Sequence, residues 1–198
     1  MSVKIQDLFT YALLVFVLIL ALFGVHGCAA SPPPRPDLEH ISTSSAVLLE
    51  DPSGRCSGVA VGEHTFLTAA HCVRDASDFQ VTAFPGVTAP ATVEFIHPEL
   101  DMARMHTDMR LTSIAQVAMG LPSSGDLVVI AGFGCVQSLF VTAGVYMGKG
   151  DLGGLIMAAP VCAGDSGGPV FDKHGRVIGV VKGRADIPVT VATSVVGL

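Results

Sequence analysis

Cys162-Ala163-Gly164-Asp165-Ser166-Gly167-Gly168-Pro169 sets one serine among three glycines and closes on a proline. Glycine is costly to order in regular structure, and proline fixes φ and lacks an N–H donor, so the stretch is a tight turn. Taken alone, such a turn is one loop among many. Two upstream patterns change its weight. The first is Leu67-Thr68-Ala69-Ala70-His71-Cys72, with Cys56 before it, and the second is His97-Pro98-Glu99-Leu100-Asp101-Met102-Ala103-Arg104-Met105. A histidine, an aspartate and a serine thus follow one another along the chain. Taken singly, His71-Cys72 fits a core pair. Cys56, His71 and Cys72 as zinc ligands are disfavoured, because adjacent residues rarely reach one ion and no fourth ligand has suitable spacing. Asp101 alone fits a turn or cap, with Asp108 and Asp126 as substitutes.

Around these patterns the chain reads as short β-rich runs bounded by Gly, Pro, Asp or Ser. They are Ala46–Leu49, Ser57–Val61, Phe66–Thr68, Gln80–Phe84, Ala91–Ile96, Leu127–Gly132, Leu155–Ala158, Val177–Val181 and Val189–Thr193. Helical periodicity is missing after the first 27 residues, and no repeat of fixed period is visible. Regularly spaced strands with little helix predict a sandwich or barrel.

From about Ala46 onward the three patterns resemble those of the trypsin/chymotrypsin-like serine proteases, whose signatures are TAAHC, a strand starting at an aspartate after His-Pro, and GDSGGP. The resemblance implies an all-β fold of two six-stranded antiparallel barrels, with residues 41–112 forming the first and 121–198 the second. It also implies Ser166 as nucleophile, His71 as general base and acid, and Asp101 as the group that orients the imidazole. The chemistry needs these residue types: a serine hydroxyl is a weak nucleophile without an adjacent base, and an imidazole titrates near working pH. A buried carboxylate holds the imidazole in the required tautomer. The N–H groups of Gly164 and Ser166 are the expected donors to the oxyanion. The family pairing of cysteines around the histidine loop implies Cys56–Cys72. Cys135 follows Gly132-Phe133-Gly134, which resembles the family's Gly-Trp-Gly, and this suggests Cys135–Cys162 as a second bridge.

The chain also departs from the family. The intervals between His71, Asp101 and Ser166 are short, which implies trimmed loops, and the C-terminal helix of the family is expected to be absent. Lys182 stands where the family has a serine that hydrogen-bonds the triad aspartate. The activation sequence Ile-Val-Gly-Gly is missing, and His40-Ile41-Ser42-Thr43 is too close to the first strand to reach Asp165. Asp165 is therefore expected to find other donors. The floor of the specificity pocket falls on Pro160, with Val161, Gly183, Pro188 and Val189 as walls. That composition disfavours cleavage after Lys or Arg and favours a small or medium apolar side chain, unless Asp186 points inward.

At the other end, Leu8 to Val25 is uncharged and apolar behind Lys4, the layout of a secretion signal over residues 1–27. Val25-His26-Gly27-Cys28 resembles the lipobox of bacterial lipoproteins, which implies lipidation of Cys28. An uncleaved anchor helix, or cleavage near Ala29 or Ala30 to give a secreted protein, are the alternatives. Residues 28–40 include Ser31-Pro32-Pro33-Pro34-Arg35-Pro36, a stiff spacer between membrane and domain. With Cys28 set aside, four cysteines remain, as suits an oxidising compartment such as the bacterial periplasm or cell surface.

Composition narrows the remaining classes. The 198 residues carry a formal charge of −6, only 14% are charged and none is Trp. Without a basic run or aromatic platform, nucleic acid is a poor partner. No apolar run after the leader is long enough to cross a bilayer. A monomeric serine endopeptidase acting on protein or peptide substrates, without metal or organic cofactor, is the expectation. A protease-like binding lipoprotein without turnover is its rival.

Overall fold

The computed structural model describes residues 43–75, 77–136, 138–150, 153–186 and 189–197, with the main chain alone at 185 and 186. The leader, Cys28, the proline-rich spacer, Ile41, Pro188 and the Asp186 side chain lie outside what is described.

Twelve strands form two closed barrels. In the first are β1 (Ala46–Asp51), β2 (Gly54–Ala60), β3 (Thr65–Ala69), β4 (Phe79–Ala83), β5 (Val87–His97) and β6 (Met102–His106). In the second are β7 (Leu127–Gly132), β8 (Phe140–Lys149), β9 (Leu155–Ala158), β10 (Pro169–Asp172), β11 (Val177–Asp186) and β12 (Val189–Ser194). Every pairing between these strands is antiparallel. Within each barrel the third strand pairs with the sixth and the first with the fourth. The two barrels therefore share one strand order, a repeat of architecture that leaves no fixed period in the sequence. Among the described residues the only helical segments are two single 3₁₀ turns, Thr43–Ser45 and Ala70–Cys72.

Closure removes sheet edges, so each strand must bury one face inside its barrel. Val47, Leu49, Phe66, Val81 and Met105 fill the first barrel. Ile130, Leu155, Met157, Val170 and Ile178 fill the second. A third cluster joins Val59, Leu67 and Met102 of the first barrel to Val129, Phe171 and Val180 of the second. Burying Phe171 in this third cluster contributes about 1.5–3 kcal/mol, so the two barrels are joined by an apolar core as well as by the connecting chain.

Three strands go beyond the runs read from sequence. β6 contains no β-branched residue, β8 is interrupted by Gly144 and Gly148, and β10 begins on Pro169 at the end of the serine turn. Each is paired on both sides, and that pairing decides its conformation. A proline is tolerated as the first residue of a strand.

Candidate active site

The first barrel supplies a histidine and an aspartate. β3 ends in Ala69, and the chain tightens at once into the 3₁₀ turn that carries His71. Ala70 donates its N–H to the carbonyl of Asp101 (3.1 Å), which docks this turn against the start of β6. The Asp101 side chain is buried, and its carboxylate is gripped twice by His71. Oδ1 accepts the His71 main-chain N–H at 3.0 Å, and Oδ2 lies 2.8 Å from Nδ1. Because a carboxylate only accepts, Nδ1 carries the proton, and in the neutral imidazole Nε2 then keeps its lone pair. Asp101 has φ of 51°, the left-handed region that aspartate tolerates better than most side chains.

The second barrel supplies the serine turn between β9 and β10. Asp165 donates its N–H to the Cys162 carbonyl (3.1 Å), and Gly168 donates to the Asp165 carbonyl (2.9 Å). Gly167 donates to the Val181 carbonyl on β11 (2.7 Å). Gly164 adopts φ of 96°, which favours glycine. The turn is seated against the first barrel: Ser57 of β2 donates its N–H to the Ser166 carbonyl (2.8 Å), and the same carbonyl oxygen lies 3.8 Å from the Cys72 sulfur, beside His71. Among the described residues, neither the Gly164 nor the Ser166 N–H has a protein acceptor. The structure closes the His71–Asp101 pair and brings the Ser166 main chain to it. It does not close a hydrogen bond between the Ser166 hydroxyl and His71 among the described residues.

Asp165 is buried, and its carboxylate is held by main-chain donors: the N–H of Gly134 reaches Oδ1 (2.8 Å) and that of Cys162 reaches Oδ2 (2.7 Å). The cysteines pair as Cys56–Cys72 and Cys135–Cys162. The first bridge ties β2 to the histidine turn, and the second ties the chain after β7 to the serine turn. The sulfurs of Cys135 and Cys162 and the Asp165 carboxylate lie within 4.8 Å of one another. Joined as a disulfide, these sulfurs supply no thiolate for a metal.

On one side of His71 a cleft of about 150 Å³ opens, walled by the Cys56–Cys72 bridge and the hairpin of β1 and β2, including Glu50, Asp51 and Arg55. Ser53, through its hydroxyl first and its N–H second, and the N–H of Gly54 hold the Asp51 carboxyl below its usual range. Two of the described residues expected to line the specificity pocket lie on paired strands of the second barrel. Val189 pairs with Ala158, two residues before Pro160, and Gly183 pairs with Val191 one strand further on. Pro160 is exposed, whereas Val161, Gly183 and Val189 are half-buried.

Lys182 is exposed and gives Asp101 no partner. Instead the second barrel reaches the aspartate's neighbour, because the Thr193 hydroxyl of β12 donates to the Leu100 carbonyl. Thr193 and Ser57 are contacts that sequence reasoning missed. Neither lies in a pattern, and each acts across more than ninety positions of chain.

Comparison with known proteins places this geometry. A trypsin-like peptidase domain matches residues 56–180. A probable periplasmic serine endoprotease, DegP-like, of Brucella suis biovar 1 is 30% identical over 142 residues, covering 66% of this chain and 28% of that protein. The mitochondrial serine protease HTRA2 of Drosophila grimshawi is 32% identical over 130 residues, covering 58% of this chain and 30% of its own. The chain thus spans less than a third of the length of these relatives. Among solved structures, the Rv3671c protease of M. tuberculosis in its active form superposes with a TM-score of 0.72 at 22% identity, covering 81% of this chain and 80% of its own. The serine endoprotease of Yersinia pestis does so at 0.70 and 20%, covering 79% and 60%. The structural likeness speaks for the double-barrel fold alone. The sequence match extends from β2 into β11, across both barrels, and by it the chain belongs to the trypsin-like peptidase domain family.

Proposed function

We propose that the protein is a serine endopeptidase, held outside the cytoplasm, that hydrolyses peptide bonds with Ser166, His71 and Asp101. The observation that carries this reading is the doubly bonded His71–Asp101 pair, with Nε2 free, next to a turn that presents Ser166. In the reaction the Ser166 hydroxyl attacks the scissile carbonyl and gives its proton to His71 Nε2. Asp101 stabilises the imidazolium, and the Gly164 and Ser166 N–H groups receive the charge that develops on the carbonyl oxygen. His71 then protonates the leaving amine. Water repeats the sequence on the acyl-enzyme and releases the second product. The open hydrogen bond between serine and histidine is compatible with this, because such bonds often tighten only when substrate is bound.

Several further features support finer parts of the reading. The main-chain donors to Asp165 do what a new N-terminal ammonium does in family zymogens, so no activation cleavage is required. A proline rather than an acid at 160 supports cleavage after small or medium apolar residues. Two disulfides, a secretion-type leader and a periplasmic relative support an extracytoplasmic place. The tether is a lipid on Cys28 or an uncleaved helix. A second reading, a binding lipoprotein without turnover, is favoured by one observation: Lys182 takes the place of the serine that would support Asp101. Degradation of an unfolded protein such as reduced casein separates the two. Cleavage that disappears in Ser166→Ala and in His71→Ala is the expected result, and intact casein with folded wild-type protein would favour the binding reading. Incorporation of a fatty-acid analogue, lost in Cys28→Ser, tests the lipid.

A further inference from the structure

The oxyanion donors are useful only if the peptide units carrying them are fixed before substrate arrives. The structure assigns that task to Ser57, a buried residue of β2 in the other barrel, which we propose is a positioning residue for the oxyanion site. The proposal rests on the endopeptidase reading above and deepens it.

The Ser166 N–H belongs to the Asp165–Ser166 peptide unit, and Ser57 holds the carbonyls of the peptide units on either side of it. Its main-chain N–H donates to the Ser166 carbonyl (2.8 Å), and its hydroxyl donates to the Gly164 carbonyl (2.7 Å). The Asp165 carbonyl of that middle unit is held by Gly168 within the turn. The Ser57 oxygen also accepts the N–H of Phe133 at 3.0 Å. Phe133 can only donate there, so the single hydroxyl proton of Ser57 is directed to Gly164. Fixing the Gly164 carbonyl fixes rotation about the Cα–C bond of a glycine at φ 96°, a residue with no side chain to restrict it. That carbonyl shares its peptide unit with the Asp165 N–H, so holding it sets the unit that leads into the Ser166 donor.

The same hydroxyl also joins the two structures that hold Asp165. Phe133 precedes Gly134, whose N–H binds the Asp165 carboxylate, while Gly164 precedes Asp165 itself. Ser57 is anchored in turn by Thr68 of β3, whose hydroxyl donates to the Ser57 carbonyl (2.7 Å). A side chain at 57 must therefore donate once and accept once within a fully buried space. Serine does both. Alanine does neither and leaves a carbonyl and an N–H in the barrel interface without partners.

The test is hydrolysis of a small activated ester by the full chain, with kcat and KM measured separately for wild type, Ser57→Ala, Ser57→Thr, Thr107→Val and Ser166→Ala. Ser57→Ala is expected to lower kcat by about 10²-fold or more, the scale of one lost oxyanion donor, with KM within about twofold of wild type because the ground-state ester does not use that donor. Ser57→Thr keeps the hydroxyl and recovers most of kcat. Thr107→Val removes a hydrogen bond outside the clamp, from the Thr107 hydroxyl to the Pro90 carbonyl (2.9 Å), so it lowers the melting temperature and spares kcat. Hydrogen exchange at the Phe133 amide should quicken in Ser57→Ala while the strand amides stay protected. A folded Ser57→Ala with wild-type kcat overturns the proposal. So does a loss of kcat that follows melting temperature equally in Ser57→Ala and Thr107→Val. Complete unfolding of Ser57→Ala also counts against it, since the hydroxyl would then hold the barrels rather than the turn. Ester hydrolysis equal in wild type and Ser166→Ala removes the endopeptidase reading itself, an outcome distinct from the others.

Discussion

Gly167→Ala measures how tightly the serine turn is seated on the first barrel. Gly167 has φ of 82°, and an added methyl would overlap the Ser57 carbonyl oxygen and the Thr68 hydroxyl and stand 2.8 Å from the Ala69 nitrogen. These are atoms of β2 and β3, two of them main chain, and they cannot swing aside as a flexible side chain does. Placing alanine in the left-handed region costs about 1–2 kcal/mol, and the overlap adds about 1–3 kcal/mol. The stiffer unfolded chain offsets about 0.4–1 kcal/mol. The net loss is about 1–5 kcal/mol, which for a domain of this size lowers the melting temperature by roughly 2–20 °C. Gly164→Ala is the internal control. Its φ of 96° exacts a similar backbone cost, but the methyl would meet nothing nearer than the Gly134 Cα at 3.0 Å. Thermal unfolding of both variants by circular dichroism should therefore find Gly167→Ala the less stable. Equal stability of Gly167→Ala and wild type, or a reversed order of the two variants, would refute the seating described here.

Other perturbations have equally definite outcomes. Asp101→Asn should keep the fold and lower kcat by about 10⁴-fold, because an amide no longer holds the working tautomer of His71; esterase kinetics beside a circular dichroism spectrum check both halves. Thr193→Val removes the only hydroxyl bond from the second barrel to Leu100 among the described residues. It should cost about 1 kcal/mol of stability and reduce kcat more than KM, with Thr193→Ser restoring both. Replacing Cys135 and Cys162 together by alanine opens a loop of 27-residue separation and should lower the urea-derived stability by about 3–4 kcal/mol on the loop-entropy account. Asp172 gives a pH dependence. Burial alone would raise its carboxyl, but the N–H groups of Arg176 and His174 and the Arg176 guanidinium outweigh burial and hold it below the ordinary range. A folded-state value below the unfolded one stabilises above the ordinary carboxylate pKa of about 3.9, and the benefit is lost as pH falls through the folded value. Urea midpoints of wild type and Asp172→Asn should accordingly lie apart at neutral pH and converge in acid.

How much of this was legible in the sequence follows from the range of each interaction. Strands such as Leu127–Gly132 and Val177–Val181 announce themselves because β-branched residues sit between turn formers, and local composition is all they need. The histidine, aspartate and serine patterns are legible for a related reason: each is a short local geometry with few alternatives. β6 and β8 are harder, since Met-Ala-Arg-Met-His and a run broken by two glycines become strands only through partners on both sides. Ser57 and Thr193 are harder still. A serine after Cys56 looks like the start of a strand, and nothing near it discloses that its hydroxyl meets Gly164 and Phe133 in the other barrel. Asp165 was expected to find donors other than an N-terminal ammonium, and the loop that supplies one, at Gly134, carried its own signal in Gly132-Phe133-Gly134-Cys135. The donors themselves are main-chain N–H groups, which every residue but proline owns, and that is why no residue type marks them.

The central claim is that Ser166 is a nucleophile activated by His71. Incubating the purified full-length protein with a fluorophosphonate and mapping the adduct by peptide mass spectrometry tests it most directly. The account predicts one adduct, on the peptide containing Ser166, absent in Ser166→Ala and strongly slowed in His71→Ala. A folded wild-type protein that takes up no label, or a label that persists in Ser166→Ala, would contradict it.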